Sequence, residues 1–276
     1  MKLSLLGILA CPACSGELKF AVLESYPRHD ADVDEATLVC KLCAQEYAVV
    51  SGVPRLRLPA VVQERGSALR GASDQGSLPG DKEMFLEETM LPSHELSGKL
   101  TLDAGCGAGR YSAVALSLDA EVVAVDLWES LEQVITLART QPKLHAVDGD
   151  MRHPPFKKGV FDVVYSRGTL HQADDVRAAF HALASLVKPR GYLSVWLYGK
   201  AGPYVGFASN PVKPGFEWVV RYRRLAWWIV LLVTPFYRRR HTKEELLNWY
   251  AEEGFLVQKI LPHGLIPKPG ALGRKK

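Results

Sequence analysis

The pattern of apolar and polar residues changes along the chain. Up to about residue 58, apolar runs such as "ELKFAVLE", "ATLVC" and "QEYAVVSGVPRLRL" alternate with turn residues, which predicts short strands. From Val61 to about Gly98, the segment "ERGSALRGASDQGSLPG" is rich in glycine and serine and indicates a linker. The segment "DKEMFLEETML" then predicts a short helix that leads into the rest of the chain.

Strands and helices are predicted to alternate over residues 99–200. The strands are "KLTLDAG", "AEVVAVDL", "KLHAVDGD", "FDVVYSRG" and "YLSVWLYG", and segments with helical spacing separate them. Buried β-branched strands joined by helices are typical of an α/β fold with a doubly wound, Rossmann-like parallel sheet. An insertion at about residues 201–241 interrupts the alternation.

Two more elements are predicted after the insertion. The segment "HTKEELLNWYAEEGF" indicates a helix capped by Thr242 and Glu245, and "FLVQKILP" indicates a sixth strand. The final residues, "GLIPKPGALGRKK", contain two prolines and a run of positive charge. We therefore expect a seventh strand to be truncated, replaced or absent.

These patterns divide the 276 residues into three parts: a small β module at 1–60, a linker and leading helix at 61–98, and a main domain at 99–276. The composition, 47% hydrophobic and 23% charged, is that of a globular protein, and the net charge of +4 permits an anionic partner without requiring one. The apolar part of "MKLSLLGILAC" is short for a signal peptide. No run reaches the roughly 18 to 20 apolar residues that span a bilayer, and we expect a cytoplasmic protein.

Four of the five cysteines form two Cys-x-x-Cys pairs: Cys11, Cys14, Cys40 and Cys43. This spacing is typical of a structural zinc site, whereas a thioredoxin-like redox site would need only one pair. A module this small has little core, so the metal would supply much of its folding free energy. The segment "ILACPACSGEL…LVCKLCAQEYAVVSGVPRL" also resembles the zinc-binding proteins that activate transfer-RNA methyltransferases. The resemblance implies that the module acts as a stabiliser or an adaptor and not as a catalyst.

The segment "LTLDAGCGAGRYS" places three glycines, Gly105, Gly107 and Gly109, directly after the first predicted strand of the main domain. A loop without side chains lets backbone N–H groups approach a ligand closely. Dinucleotide-binding folds use G-x-G-x-x-G or G-x-G-x-x-A, but Arg110 occupies the third small position here. Asp103 would sit badly beside a pyrophosphate and suits a cofactor that carries sulfonium and ammonium cations.

With these residues in place, roughly residues 99–260 resemble the class I S-adenosylmethionine-dependent methyltransferases. The resemblance implies that the glycine loop holds the methionine and ribose of the cofactor and that Asp126 accepts hydrogen bonds from both ribose hydroxyls. It also implies that Asp150 meets the adenine amino group and that Met151 packs on the ring. The complete predicted cofactor-binding set is Asp103, Gly105, Gly107, Gly109, Asp126, Leu127, Asp150, Met151 and Ser166.

Three residues in or after "FDVVYSRGTLHQ" are candidates for catalysis. Methyl transfer from a sulfonium is an in-line displacement, for which alignment and exclusion of water matter most. His171 is a candidate general base because histidine titrates near neutrality, and the alternative is that it orders the loop. Tyr165 and Arg167 flank the same position and are candidates for positioning an anionic or aromatic acceptor.

The insertion is the main clue to the acceptor. Residues 218–240, "WVVRYRRLAWWIVLLVTPFYRRR", join an apolar stretch to arginines at both ends. This pattern fits a buried lid helix, an interfacial helix near anionic lipids, or an RNA-facing surface. We predict a methyltransferase for a small, fairly apolar or lipid-linked acceptor, with peripheral contact to the inner membrane surface if residues 218–240 bind lipid. An RNA methyltransferase, for ribosomal or transfer RNA, and a non-catalytic cofactor-binding scaffold remain the alternatives.

Overall fold

The structure, a computed structural model, describes residues 1–21, 32–58, 80–197, 241–261 and 269–276. The predicted insertion and most of the predicted linker lie outside these residues. The strands are β1 (Leu18–Phe20), β2 (Ala36–Cys40), β3 (Glu46–Val50), β4 (Val53–Leu56), β5 (Leu100–Ala104), β6 (Glu121–Asp126), β7 (Leu144–Gly149), β8 (Phe161–Arg167), β9 (Val187–Trp196), β10 (Phe255–Ile260) and β11 (Gly270–Lys275). The helices are α1 (Leu3–Leu6), α2 (Asp81–Thr89), α3 (Arg110–Ser117), α4 (Glu132–Ala138), α5 (Val176–Leu186) and α6 (Lys243–Glu252).

All these strands form one sheet in the order β1-β2-β3-β4-β7-β6-β5-β8-β9-β11-β10. The stretch from β4 to β9 is parallel, whereas β11 is antiparallel to both of its neighbours. One core packs α5 and α6 against the sheet, and a second core packs α2, α3 and α4. A strand covered on both faces is buried along its whole length, as β7 is. The predicted doubly wound α/β fold is therefore confirmed.

The seventh strand of the main domain forms, so the expectation that it is truncated, replaced or absent is wrong. β11 inserts between β9 and β10, and Gly273 lets it pass close to Tyr250, because a Cβ there would lie 2.5 Å from Tyr250 Cδ1. The Tyr250 hydroxyl donates to the carbonyl of Ala271 at 2.7 Å. The positive charges do not oppose the strand, since the side chains of Arg274 and Lys275 donate to backbone carbonyls.

The N-terminal module is continuous with the main sheet. β1, β2, β3 and β4 pair antiparallel in sequence, and β4 then pairs in parallel with β7, Arg55 opposite Asp148 and Leu56 opposite Gly149. Further hydrogen bonds tie the module to the domain, including one from the amide of Ala10 to the carbonyl of Pro155 at 2.9 Å. The module thus covers the β7 edge of the parallel sheet. The boundaries at residues 60 and 98 stay predictions.

The helix after the insertion begins as predicted. The Thr242 side chain accepts from the amide of Glu245, and the Glu245 side chain accepts from the amide of Thr242, which completes a capping box for α6. Within the described part of the chain, no helix is long and apolar enough to cross a membrane.

Candidate active site and metal site

The glycine loop joins the end of β5 to the start of α3. Gly105, Gly107 and Gly109 all have positive φ angles, of 83°, 54° and 82°, a region that favours glycine. A Cβ on Gly105 would lie 2.5 Å from Thr169 Cγ2, and one on Gly109 would lie 2.7 Å from Val134 Cγ2. A Cβ on Gly107 would meet none of the described atoms within 4 Å. The loop is thus packed tightly at both ends and open at its middle, where a ligand has access to the backbone.

Asp103 is buried in β5, directly before this loop. Its Oδ2 accepts a hydrogen bond from Ser112 Oγ at 2.7 Å, and its register partner on β8 is Tyr165. Burial raises the pKa of Asp103 to about 7, although the Ser112 and Tyr165 hydroxyls act in the opposite direction. Near neutral pH the Asp103 carboxyl is therefore partly protonated.

Asp126 ends β6 and faces the same loop. Its Oδ2 accepts from the Gly107 amide, and its Oδ1 accepts from the Leu127 amide, both at 2.7 Å. A carboxylate oxygen has two acceptor positions, so each oxygen keeps one for a ligand hydroxyl. Burial raises the pKa of Asp126, the two amides lower it, and Asp148 raises it further. This geometry fits the two hydroxyls of a ribose.

Charge pairing separates Asp103 and Asp126 from the other acids of the core. Five carboxylates are buried among the described residues, namely Asp81, Glu88, Asp103, Asp148 and Asp150. All but Asp103 pair with arginine. The pairs are Asp81 with Arg110, Glu88 with Arg167, Asp148 with both Arg55 and Arg57, and Asp150 with Arg152. Neither Asp103 nor the partly buried Asp126 forms an ion pair with a described residue. Buried charges are normally compensated, so these two acids fit a cationic ligand that also carries hydroxyl groups.

The predicted adenine site has an arginine that the sequence did not reveal. Asp150 accepts from the Arg152 amide at 2.8 Å and from Arg152 Nη2 at 2.7 Å, and Arg152 also reaches Asp174 at 3.2 Å. An adenine amino group would share the Asp150 carboxylate with this arginine. Met151 is half-buried against the core. The adenine roles of Asp150 and Met151 stay predictions.

β8 brings Tyr165, Ser166 and Arg167 to the same end of the sheet. The Tyr165 hydroxyl and Ser166 Oγ are buried and have no hydrogen-bond partner of good geometry in the part of the chain that the structure describes. Buried hydroxyls normally find partners, so Ser166 Oγ is available to a ligand, whereas the Tyr165 hydroxyl faces the Asp103 carboxyl. The positions agree with the predicted cofactor and acceptor roles, which stay predictions.

His171 lies in a turn after β8 and is only 3% exposed. Burial lowers its pKa to about 4, and His241 lowers it further. Such an imidazole is neutral at pH 7 and holds a proton weakly, so it is a poor general base. The base role and the loop-ordering role of His171 both stay predictions.

α2 supplies contacts to the site that the sequence analysis missed. Glu88 pairs with Arg167 Nε and accepts from the Tyr111 hydroxyl at 2.9 Å. The Arg167 guanidinium lies 4.3 Å from the Tyr111 ring centroid and 5.6 Å from that of Trp196. Asp81 and Glu88 are seven residues apart and hence lie on one helix face. This spacing was the feature of the sequence that could have predicted an acidic face of α2 directed at the site.

The four cysteines of the module meet at one point. Cys11 Sγ lies 3.7 Å from Cys43 Sγ, Cys14 Sγ lies 3.5 Å from Cys40 Sγ, and all four sulfurs are within 4.8 Å of one another. A tetrahedral Zn²⁺ with bonds of about 2.3 Å would set its sulfurs about 3.8 Å apart. The cluster therefore fits a closed four-thiolate metal site, which is the structural type.

Comparison with protein families matches both parts of the chain. Residues 102–195 match a family described as a methyltransferase domain, and residues 2–52 match the Trm112p-like proteins. Over 105 residues the chain is 34% identical to a ubiquinone biosynthesis O-methyltransferase of Xanthomonas euvesicatoria, which covers 36% of this chain and 43% of the relative. A malonyl-[acyl-carrier protein] O-methyltransferase of Pectobacterium atrosepticum is 30% identical over 109 residues, 38% of this chain and 40% of the relative. The matches thus span less than half the length of these relatives.

Solved structures support the same fold. An S-adenosylmethionine-dependent methyltransferase from Mesorhizobium loti superposes with a TM-score of 0.50 at 19% identity, over 70% of this chain and 98% of that one. A geranyl diphosphate methyltransferase, solved in complex with GPP and sinefungin, superposes with a TM-score of 0.51 at 16% identity, over 71% of this chain and 77% of that one. The chain therefore joins a Trm112p-like domain to a methyltransferase domain, and the second has the fold of the S-adenosylmethionine-dependent methyltransferases.

Proposed function

We propose that this protein transfers the methyl group of S-adenosylmethionine to an oxygen of a small, fairly apolar or lipid-linked acceptor. The observation that carries the proposal is a pair of acids, Asp103 and Asp126, that form no ion pair with any described residue and flank a glycine loop that is open at Gly107. The acceptor class is supported by two relatives whose names identify them as O-methyltransferases, one of ubiquinone biosynthesis and one of malonyl-[acyl-carrier protein].

Bound S-adenosylmethionine supplies an activated methyl group and leaves as a neutral thioether. In this proposal Asp126 holds the ribose hydroxyls, and Asp103 balances the positive end of the cofactor. Arg167, fixed by Glu88 and stacked on Tyr111, positions the acceptor at the end of β8. Phe85 packs edge-on against Tyr111 and Tyr165, at 5.3 Å between ring centroids in both cases, and helps to exclude water. As the acceptor oxygen forms its bond to the methyl carbon, the bond from that carbon to sulfur breaks. A carboxylate acceptor has no proton to lose, and a hydroxyl acceptor releases its proton to solvent.

We also propose that the cysteine cluster holds one structural Zn²⁺. The sulfur separations support this, as does the Tyr47 hydroxyl, which lies 3.1 Å from Cys11 Sγ and satisfies a buried sulfur. Four protein ligands leave no open coordination position. The metal would therefore fold the module and take no part in methyl transfer.

The change Asp126→Ala tests the cofactor site. It removes a charged acceptor of the ribose hydroxyls, and each such hydrogen bond contributes about 1.5 to 3 kcal/mol. We expect the affinity for S-adenosylhomocysteine, measured by titration calorimetry, to fall at least about a hundredfold. Glu132→Gln, an exposed change in α4, is the control and should leave affinity intact. Unchanged affinity in Asp126→Ala would contradict the ribose assignment.

A labelling experiment tests the acceptor class. The protein is incubated with methyl-labelled cofactor and host extract, and RNA, lipid and small metabolites are then separated. We expect label in the lipid or small-metabolite fraction. Label confined to RNA would replace the proposed acceptor class, and cofactor binding without label in any fraction would favour the non-catalytic scaffold.

A further inference from the structure

The N-terminal module reaches the cofactor cleft through two arginines. Arg55, in β4, places Nε 3.2 Å from Asp148 Oδ2, and Arg57, just beyond β4, places Nε 2.9 Å from Asp148 Oδ1. The Asp148 side chain is 0% exposed and that of Arg57 is 8% exposed. Arg57 Nη1 also lies 3.7 Å from Glu129 Oε2. Charges this deeply buried interact strongly because water screens them little.

Asp148 is the neighbour of the ribose acid. In the parallel pair of β6 and β7, Asp126 is in register with Asp148, so the two side chains project from the same face of adjacent strands. Asp148 is in turn in register with Arg55 on β4. Three neighbouring strands thus carry arginine, aspartate and aspartate in a row, and the module supplies the positive member.

We propose that Arg55 and Arg57 are positioning residues for the cofactor: they cancel the charge of Asp148 and so keep the Asp126 carboxylate ionised to accept hydrogen bonds from ribose. This inference rests on the proposed function, because it concerns the site that we assign to S-adenosylmethionine. It gives the N-terminal module, through residues just beyond the 2–52 segment that matches the Trm112p-like proteins, an electrostatic role in cofactor binding, in addition to covering the edge of the sheet.

Several charged or titratable groups face Asp126. They are Asp103 and Cys106 from β5 and its loop, Asp148 from β7, and Glu129 from the turn after β6. Every one of these groups is neutral or negative. Compensating positive charge comes from Arg55, which contacts Asp148, and from Arg57, which contacts both Asp148 and Glu129. Loss of Arg57 would raise the pKa of Asp126, since Asp148 already raises it.

The sign of the effect follows from this charge balance. A protonated Asp126 has one oxygen that donates, and it binds a diol less well than a carboxylate does. Loss of an arginine partner of Asp148 should therefore reduce cofactor affinity at low pH. The affinity should return as the pH rises above the raised pKa of Asp126. A purely structural role of the arginines would weaken binding equally at every pH.

The experiment measures binding of S-adenosylhomocysteine by titration calorimetry between pH 6 and 8.5. For Arg57→Met we expect affinity to fall more steeply than in the unchanged protein as the pH drops from 8.5 to 6, by up to about tenfold for each unit by which the pKa of Asp126 rises, and to lie within about threefold of the unchanged protein at pH 8.5. Arg57→Lys keeps the charge and should bind within about threefold of the unchanged protein. Arg57→Met with Asp148→Asn should recover most of the lost affinity, since both charges are gone.

Asp148→Asn alone keeps the experiment decisive if Arg57→Met does not fold. It removes the negative neighbour of Asp126, so binding at pH 6 should be at least as tight as in the unchanged protein. Weaker binding at pH 6 would overturn the inference. So would a pH-independent loss in Arg57→Met, or a loss that Asp148→Asn does not relieve. If the unchanged protein fails to bind at any pH, the proposed function itself is wrong.

Discussion

The carboxyl groups of the candidate cleft indicate its ligand more specifically than its glycines do. The glycines show that a ligand can approach the backbone, whereas the pairing of acids shows what kind of ligand fits. Asp81, Glu88, Asp148 and Asp150 already have arginine partners, and Asp103 has none among the described residues. An unpaired buried carboxyl stays near its ionised form only if something positive arrives. Burial of the Asp103 charge without a cation therefore costs free energy.

That cost predicts a dependence of stability on pH. Burial raises the pKa of Asp103 from 3.8 to about 7, so the folded protein keeps a proton that the unfolded chain loses above pH 4. The free energy of unfolding should fall from about pH 4 to about pH 7 through this group, by at most about 4 kcal/mol. Asp103→Asn cannot ionise and should be the more stable protein above pH 7 in the absence of cofactor.

Denaturant unfolding of both proteins between pH 4.5 and 8 measures this difference. The comparison of the two curves removes the contribution of the other titrating groups. A difference in stability that stays constant with pH would show that Asp103 does not titrate in this range.

Single elements differ in how far the sequence predicts them. The glycine loop and Asp126 follow from local pattern, because a buried strand, a bare loop and an acid at the next strand end lie close in sequence. β11 does not, since its glycine matters only through Tyr250, which lies 23 residues earlier. The pairing of Arg55 with Asp148, 93 residues apart, is equally invisible before the fold is known. Local chemistry is thus readable from sequence, whereas contacts between distant strands are not.

The capping box of α6 was predicted from sequence and gives a direct test of an element. Thr242→Ala removes the side chain that accepts from the Glu245 amide, and such caps contribute about 1 kcal/mol. We expect the free energy of unfolding to fall by about this amount. Asn248→Ala, an exposed change in the same helix, serves as the control and should not reduce stability. Equal effects of both changes would show that the cap contributes nothing specific.

The whole molecule is organised around one sheet that runs through both domains. β4 gives β7 its parallel neighbour, so the N-terminal module protects a strand edge that carries Asp148 and leads to Asp150. An uncovered edge has unpaired backbone groups and invites misassociation. The stability of the methyltransferase domain should therefore depend on the metal.

Removal of the metal tests this dependence. Treatment with a strong chelator, or the change Cys14→Ser, should unfold the module because it has little core of its own. We expect a lower Tm and faster amide exchange in β4 and also in β7, with a smaller effect in β10 at the far edge of the sheet. Metal analysis should find about one zinc per chain before treatment. Loss of protection confined to residues of the module would contradict the dependence.

The β4–β7 pairing joins two domains that are synthesised in equal amounts. Both strands belong to one polypeptide, so every copy of one domain is made together with a copy of the other. Tethered partners meet at an effective concentration in the millimolar range, whatever the number of molecules present. The pairing should therefore resist dilution, and no imbalance in gene expression can leave the methyltransferase domain without the N-terminal module.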